Sequence, residues 1–337
     1  MTYQIVNQLD ENTWSAFVGQ HPQGNIFHTP EMYHVFQQTS GYQPELWAVV
    51  GEQGQPLVLF LPVKISLKSG WMKALTTRAI VFGGVLAADT PETEDALRHL
   101  LRAYQKDSGR KPLFTEIRNV TACPGQQPGL QTVGFAYEDH LNYLIDLDHS
   151  PDEVFKRIGK RTQRNIRHGL NQGHVRIAEA ATLSEVESGY ALLKKTYQAA
   201  QVPLADFSLF ATAFDLLAPR GMCLVTLARV EEHPAAASFE LLYKDTVYGW
   251  YGGMDRSFGS YVPNELLMWH ILRWGSEHNY KRYDFGGAGK PNEEYGVRDF
   301  KSKFGGELVC FGRNTWVPHP GFLTVCKWGY QLLRRSL

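Results

Sequence analysis

Tyr283-Asp-Phe-Gly-Gly-Ala-Gly-Lys-Pro-Asn-Glu-Glu-Tyr-Gly-Val-Arg-Asp-Phe-Lys-Ser-Lys-Phe-Gly-Gly306 reads as a short apolar strand, a glycine-rich loop, and two lysines set among phenylalanines. Glycine loses more backbone freedom than any other residue when it is fixed, so a segment this rich in it is a poor packing element. Two readings fit: a loop of the sheet, or a place where a ligand approaches the backbone closely.

Working outward, the strand that opens this stretch closes a repeated order of elements. Strand-like runs are expected at Cys223–Val230, Ala236–Tyr243 and Val247–Gly252, with turns at Glu231–Pro234 and Lys244–Asp245. Pro263 opens a helix to about His278, and Arg282–Phe285 is the strand that follows. The first half shows the same order. Strands are expected at Glu45–Val50, Leu57–Lys64, Met72–Leu75 and Ile80–Leu86, then a helix from Pro91 to about Gln105, then a strand at Pro112–Arg118. Phe82-Gly-Gly-Val85 and Tyr251-Gly-Gly-Met254 hold matching places in the two halves. Antiparallel strands, a helix, and a strand parallel to the last of them form a GNAT-like arrangement. The fold expected is α/β (α+β): two tandem GNAT-like domains, each a mixed, largely antiparallel sheet flanked by helices. Their bounds are set at 1–150 and 151–315, with a carboxyl-terminal amphipathic helix at 316–337.

Composition narrows the partners. Thirty-four basic residues balance 34 acidic ones in 337 residues, so any phosphate contact must come from a local patch. The four cysteines are scattered, with no CxxC pair, and the histidines show no metal-ligand spacing, so neither a disulfide framework nor a metal site is expected. The first residues lack a basic and an apolar segment of a signal peptide, and no apolar run nears the ~20 residues of a spanning helix, so a cytoplasmic location is expected.

The local patch lies at the middle of the chain. Pro151 to His168 has the period of one amphipathic helix, with Ser150 as its cap and Phe155, Ile158, Thr162, Ile166 and Leu170 in one stripe about 120° wide. Lys156, Arg157, Lys160, Arg161, Arg164 and Arg167 fill the other face without an intervening acid. A solvated helix intersperses glutamates among its cations, so this face suits a phosphate-rich ligand, with Arg161 and Arg164 as contacts.

Five segments in order, Arg161-Thr-Gln-Arg-Asn-Ile-Arg-His-Gly-Leu170, Trp250-Tyr-Gly-Gly-Met-Asp255, Pro263-Asn-Glu-Leu-Leu-Met-Trp269, Tyr283-Asp-Phe-Gly-Gly287 and Gly296-Val-Arg-Asp-Phe-Lys-Ser-Lys-Phe-Gly-Gly306, together resemble the FemAB-like (Fem peptidoglycan-bridge aminoacyltransferase-related) branch of the GNAT superfamily. The resemblance implies transfer of an activated acyl group, carried as a thioester or an aminoacyl ester, to an amine. Acyl-CoA or aminoacyl-tRNA is then the co-substrate, with no permanently bound cofactor, and the acceptor is an amine of a cell-envelope precursor. It implies that Phe300 and Lys301 lie at the reacting centre. An ammonium there would stabilise the oxyanion formed when the amine attacks. Lys303 is the runner-up, on the same face as Lys301 if the segment is extended.

The remaining candidates rest on residue type and place. Asp284 is either a general base or a structural residue that caps loop amides or pairs with Arg282 or Arg298. Tyr251 and Tyr295 are candidate walls of an acceptor groove. Asn264 begins a helix whose free N–H groups suit an anion. Cys223 and Cys310 are expected in the core. Arg256-Ser-Phe-Gly-Ser-Tyr261 keeps only part of the Q/R-x-x-G-x-G/A turn used for CoA pyrophosphate. Three differences separate the chain from peptidoglycan-building members. Arg118 stands where they place an acid, Phe36 where they place a lysine, and 157–190 leaves no room for a tRNA-gripping hairpin. The segment 321–337 is apolar with a basic end, suited to packing or to peripheral membrane contact. A non-catalytic module binding a nucleotide-linked sugar or cell-wall precursor is the alternative function.

Overall fold

The computed structural model of the protein describes residues 3–66, 76–109 and 112–324. The strand expected at Met72–Leu75, and 325–337 of the expected carboxyl-terminal helix, lie outside these. The chain divides into two compact units, residues 1–139 with 311–337 and residues 140–310.

The first unit carries two sheets. One orders β1 (Gln4–Val6), β3 (Trp47–Val50), β4 (Pro56–Phe60) and β7 (Leu86–Ala87). The other orders β2 (Tyr42–Pro44), β5 (Pro62–Ser66), β6 (Thr77–Gly83), β8 (Thr115–Asn119), β17 (Arg313–Trp316) and β9 (Ala136–Glu138). Helices α1 (Glu11–Gln20) and α2 (Pro30–Gln38) lie between β1 and β2, and α3 (Thr93–Ser108) crosses from β7 to β8. Its Leu97, Leu100, Leu101 and Tyr104 recur at helical spacing and are buried against Val58, Phe60, Val81 and Ile117. Short α4 (Gln127–Thr132) follows. Strands β6 and β8 run parallel and stay paired from Ala79↔Thr115 to Gly83↔Asn119.

The second unit is built on one seven-stranded sheet. Its order is β11 (Val175–Glu179), β12 (Cys223–Val230), β13 (His233–Tyr243), β14 (Thr246–Met254), β15 (Arg282–Gly287), β10 (Leu141–Asp146) and β16 (Glu307–Cys310). Helices α5 (Pro151–Arg157) and α6 (Lys160–Gln172) lead into β11, and α7 (Leu183–Ala199) and α8 (Phe207–Leu217) join β11 to β12. Helix α9 (Pro263–Glu277) crosses from β14 to β15, and α10 (Gly296–Ser302) precedes β16. One sheet face buries Leu224, Ala228, Ala236, Leu242 and Val247 against Leu266, Leu267, Ile271 and Leu272 of α9. On the other, Phe210 of α8 meets Phe239 edge to face at 5.1 Å, and Gly253 lets β14 lie directly on the backbone of Leu192 and Leu193 in α7. The hairpin turns at Glu231 and Lys244 each place the first turn residue at positive φ (54° and 52°).

Several expectations are corrected. Unit contents differ from the 1–150 and 151–315 bounds: β10 pairs with β15 and β16 in the second sheet, while β17 pairs with β8 and β9 in the first. Trp316 thus ends a strand instead of opening a helix. The single basic helix is two, because the chain turns extended at Ile158 and Gly159 (ψ 143° and 136°). Gln163 makes the break tolerable by donating to the carbonyls of Ile158 (2.6 Å) and Lys156 (3.2 Å) at the end of α5. Leu170 is exposed although Ile158, Thr162 and Ile166 of its stripe are buried. Cys310 is exposed on the edge strand β16, whereas Cys223 is buried as expected.

Candidate active site

The strand carrying the opening sequence stretch is also where the second sheet parts. β14 and β15 are parallel partners only over Thr246↔Arg282, Val247↔Tyr283 and Tyr248↔Asp284. Beyond that point β14 continues along β13, and β15 continues along β10, where Gly287 faces Asn142. A ladder irregularity between Phe239 and Glu240 leaves Trp250 as an extra residue on β14, which bends that strand as it departs. The result is a notch between 249–254 and 285–287, in which the Thr196 hydroxyl bonds the amide and carbonyl of Met254 on the β14 side. The equivalent strands of the first unit, β6 and β8, do not part.

Asp284 stands at the last shared pair. It is 3% exposed, and its Oδ1 accepts from the Gly286 amide (2.7 Å) and from Asn142 Nδ2 (3.5 Å). Burial pushes its carboxyl up to about 6, against the pull of the Gly286 amide and the Lys301 charge. Lys301 is 7% exposed on α10 and reaches back into the glycine-rich segment. Its Nζ donates to the carbonyls of Phe285 (2.6 Å), Gly287 (2.7 Å) and, most weakly, Gly286 (3.4 Å). Burial draws the ammonium down to about 8, opposed by Asp284.

Arg298, one turn earlier, holds the rest of the loop. Its Nε donates to Ala288 (2.8 Å), and its terminal nitrogens reach the carbonyls of Lys290 and Pro291. Two cations of one short helix therefore fix the carbonyls of 285–288, 290 and 291. Phe300 packs edge to face on Phe304 at 5.2 Å and anchors α10 to the core. Tyr295 caps the start of α10, 41% exposed, with its ring against Gly289. Because 296–302 is helical, Lys301 and Lys303 do not share a strand face, correcting that expectation. Lys303 turns away to Glu265 at 3.8 Å.

The other candidates fall in two places. Tyr251 lies in an aromatic cluster on the α7–α8 face, 5.8 Å from Tyr197 and 4.8 Å from Phe210 by ring centroids. Burial pushes the Tyr197 phenol up to about 12, with Tyr295 adding to the shift. Arg161 and Lys303 line an open depression of ≈ 390 Å³ together with Glu265. Asn264 sits in the first turn of α9, and Arg164 is exposed on α6 outside that depression. Arg256–Tyr261 forms a 3-10 helix ahead of α9. In the first unit Arg118 is matched with Glu116 at 2.6 Å, and Arg313 joins it at 3.2 Å. Both hold the half-buried Glu116 carboxyl low despite its burial.

Sequence reading missed three groups here. Asn142 arrives from a distant strand and carries no local signal. Asn165 and Glu265, bonded at 3.2 Å, come from two helices. Glu240 did carry one, an acid between Phe239 and Leu241 in an apolar strand. It is wholly buried, its Oε1 accepting from Ser238 Oγ and its Oε2 without a partner, and burial pushes it up to about 8.

Residues 156–302 match the acetyltransferase (GNAT) domain family. Lipid II:glycine glycyltransferase of Staphylococcus aureus is 22% identical over 220 residues, 62% of this chain and 49% of that protein. The chain thus spans about half the length of the curated relatives it matches. Among solved structures, FemX superposes with a TM-score of 0.71 at 15% identity, over 94% of this chain and 97% of its own. A tandem GNAT protein from the clavulanic acid biosynthesis pathway gives 0.60 at 12%, over 95% and 99%. L-PGS from Bacillus licheniformis gives 0.58 at 12%, over 95% and 97%. The class is that of mixed α/β proteins with tandem GNAT-like domains. Within it, the domain match, the glycyltransferase relative and the FemX likeness support the FemAB-like branch.

Proposed function

We propose that the protein is an N-acyltransferase whose second unit moves an activated acyl group to an amine. The observation that carries this reading is the parting of β14 from β15 beside a buried carboxyl and a buried ammonium. It lies within the segment matching an acetyltransferase domain. An extended donor entering the notch can hydrogen-bond along the edge of β14 that β15 leaves, as a sheet strand would. The acceptor amine attacks the acyl carbon, an amide bond forms, and the thioester or ester bond breaks. Asp284 takes the proton from the attacking nitrogen, directly or through water, and the leaving sulfur or oxygen receives one. Lys301 faces the oxyanion by exchanging its weakest bond, to Gly286, for the new charge.

Acyl-CoA is the donor suggested by the matched family, and an aminoacyl ester is suggested by the glycyltransferase relative. That relative's name also directs attention to an amine of a cell-envelope precursor as acceptor. A cytoplasmic site of action belongs to the same reading. Among the described residues, no helix is long and apolar enough to cross a membrane. The three carbonyls already held by Lys301 favour one competing reading, a binding module for a nucleotide-linked sugar or cell-wall precursor in which the ammonium only shapes the loop.

The test is mass-spectrometric detection of transfer from acetyl-CoA, and separately from glycyl-tRNA, to amine-bearing envelope precursors. With a productive pair, kcat/KM should rise through about pH 6 as Asp284 ionises and fall through about pH 8 as Lys301 loses its proton. Lys301→Met should lower kcat by about a hundredfold or more, and Asp284→Asn should abolish the acid limb. If folded samples of both variants keep near-native rates and profile, the reading fails.

A further inference from the structure

The cations of α6 that face the ≈ 390 Å³ depression do not lie along its outer face but at its first turn. Gly159 caps this 13-residue helix without any side-chain bond, and the first turn holds no acid. The amides of residues 160–162 are therefore the orphan donors of a helix start, at the positive end of the helix dipole. Lys160 and Arg161 add two positive charges where an acidic residue would be favourable. Gly159 donates to the carbonyl of Lys303 (2.9 Å), which brings that lysine to the same place.

Thr162 supplies an independent observation. It is 4% exposed and lines the depression, yet its hydroxyl makes no hydrogen bond among the described residues. That hydroxyl opens on the depression beside the free amides, where it can donate to a ligand oxygen. Glu265 is the one acid in the lining, and it is engaged by Asn165 at 3.2 Å and by Lys303 at 3.8 Å. An incoming anion would compete with Glu265 for Lys303.

We propose that the start of α6 is a phosphate-binding subsite, in which the amides of 160–162 and the Thr162 hydroxyl hold phosphate oxygens and Arg161, Lys160 and Lys303 neutralise them. Arginine's planar fork gives the paired contact and the lysines supply point charges. The ligand class is a phosphate ester or diphosphate, carried by a soluble nucleotide-like substrate or by a lipid-linked one. The subsite deepens the acyl-transfer reading by giving the phosphate-bearing substrate an anchor. Its binding is measured without turnover, so either reading can fail while the other stands.

The experiment is titration calorimetry of the full chain with inorganic pyrophosphate at low salt, beside sedimentation with phosphatidic-acid vesicles. Arg161→Gln and Lys303→Gln should each weaken binding by about tenfold. Thr162→Val should weaken it more modestly, and Arg164→Gln, one turn on and outside the depression, by no more than about twofold. Loss in the pyrophosphate arm assigns a soluble phosphate, and the same pattern only with vesicles assigns a lipid-borne one. Absence of binding in both arms, or equal loss from Arg161→Gln and Arg164→Gln, overturns the subsite.

Discussion

Glu240 shows how much an interior can ask of one residue. Its neighbours on β13 are Phe239 and Leu241, its Oε2 has no partner, and across the ladder lies Gly249. Burial raises the folded pKa from 4.5 to about 8. A carboxyl raised in this way contributes stability that is fully present below about pH 4.5 and is lost as pH rises through about 8. The loss at pH 7 is on the order of 3 kcal/mol. Glu240→Gln keeps the shape and removes the titration. Its melting temperature should exceed the native one by a margin that grows from pH 5 to pH 8.5, as followed by circular dichroism; a constant margin would sink the assignment. Nothing in the local sequence says that this acid is sealed in, because its burial is produced by α9 and β15, far along the chain. By contrast, Asp284 and Lys301 were each legible as worth naming, since each stands out in its own motif. The loop amide that Asp284 caps was legible too, but the carbonyls that Lys301 holds and an asparagine 142 residues away from Asp284 were not.

At the scale of elements, the notch is a product of small residues. Gly249 lies under the hydroxyl of Tyr283, where any Cβ would overlap it. Gly249→Ala should push the two strands further apart or displace Tyr283, at a cost of about 1–3 kcal/mol, measurable by urea unfolding. Gly296, at the start of α10, has nothing within 4 Å of a Cβ and an ordinary φ. Gly296→Ala should be neutral or stabilising by about 0.5 kcal/mol in the same assay. If the two variants behave alike, glycine in this segment reflects something other than close approach. The crossover helix α9 was readable almost to the residue, expected from Pro263 to about His278 and found at Pro263–Glu277, because proline and an apolar stripe mark it locally. The break between α5 and α6 was not. The stripe of Ile158, Thr162 and Ile166 continues across it, and only the glycine at 159, disfavoured in a helix by about 1 kcal/mol, hinted at it. Helix α10 was likewise not anticipated, though Val297, Phe300, Lys301 and Phe304 fall at helical spacing.

At the scale of the molecule, the duplicated order of elements was legible, while the ownership of two strands was not. β17 lies between β8 and β9 in the interior of the first unit's six-stranded sheet, yet it is drawn from residues 313–316. Hydrophobic periodicity marks a strand but not the sheet that it joins. All seven strands of the second unit, in contrast, lie within 140–310. A fragment of residues 140–310 should therefore melt cooperatively, whereas residues 1–139 alone should not, and a peptide of 311–337 added in trans should restore the transition. Cooperative melting of 1–139 without the peptide would show β17 to be dispensable. The position of β17 also gives protein synthesis an order. Until residues 313–316 have been made, the second unit has every strand of its sheet, but the first unit still lacks one from its middle. A message cut short after residue 310 would yield a chain with an unfilled seam between β8 and β9, an exposed pair of strand edges by which cellular quality control can tell an unfinished product from a finished one.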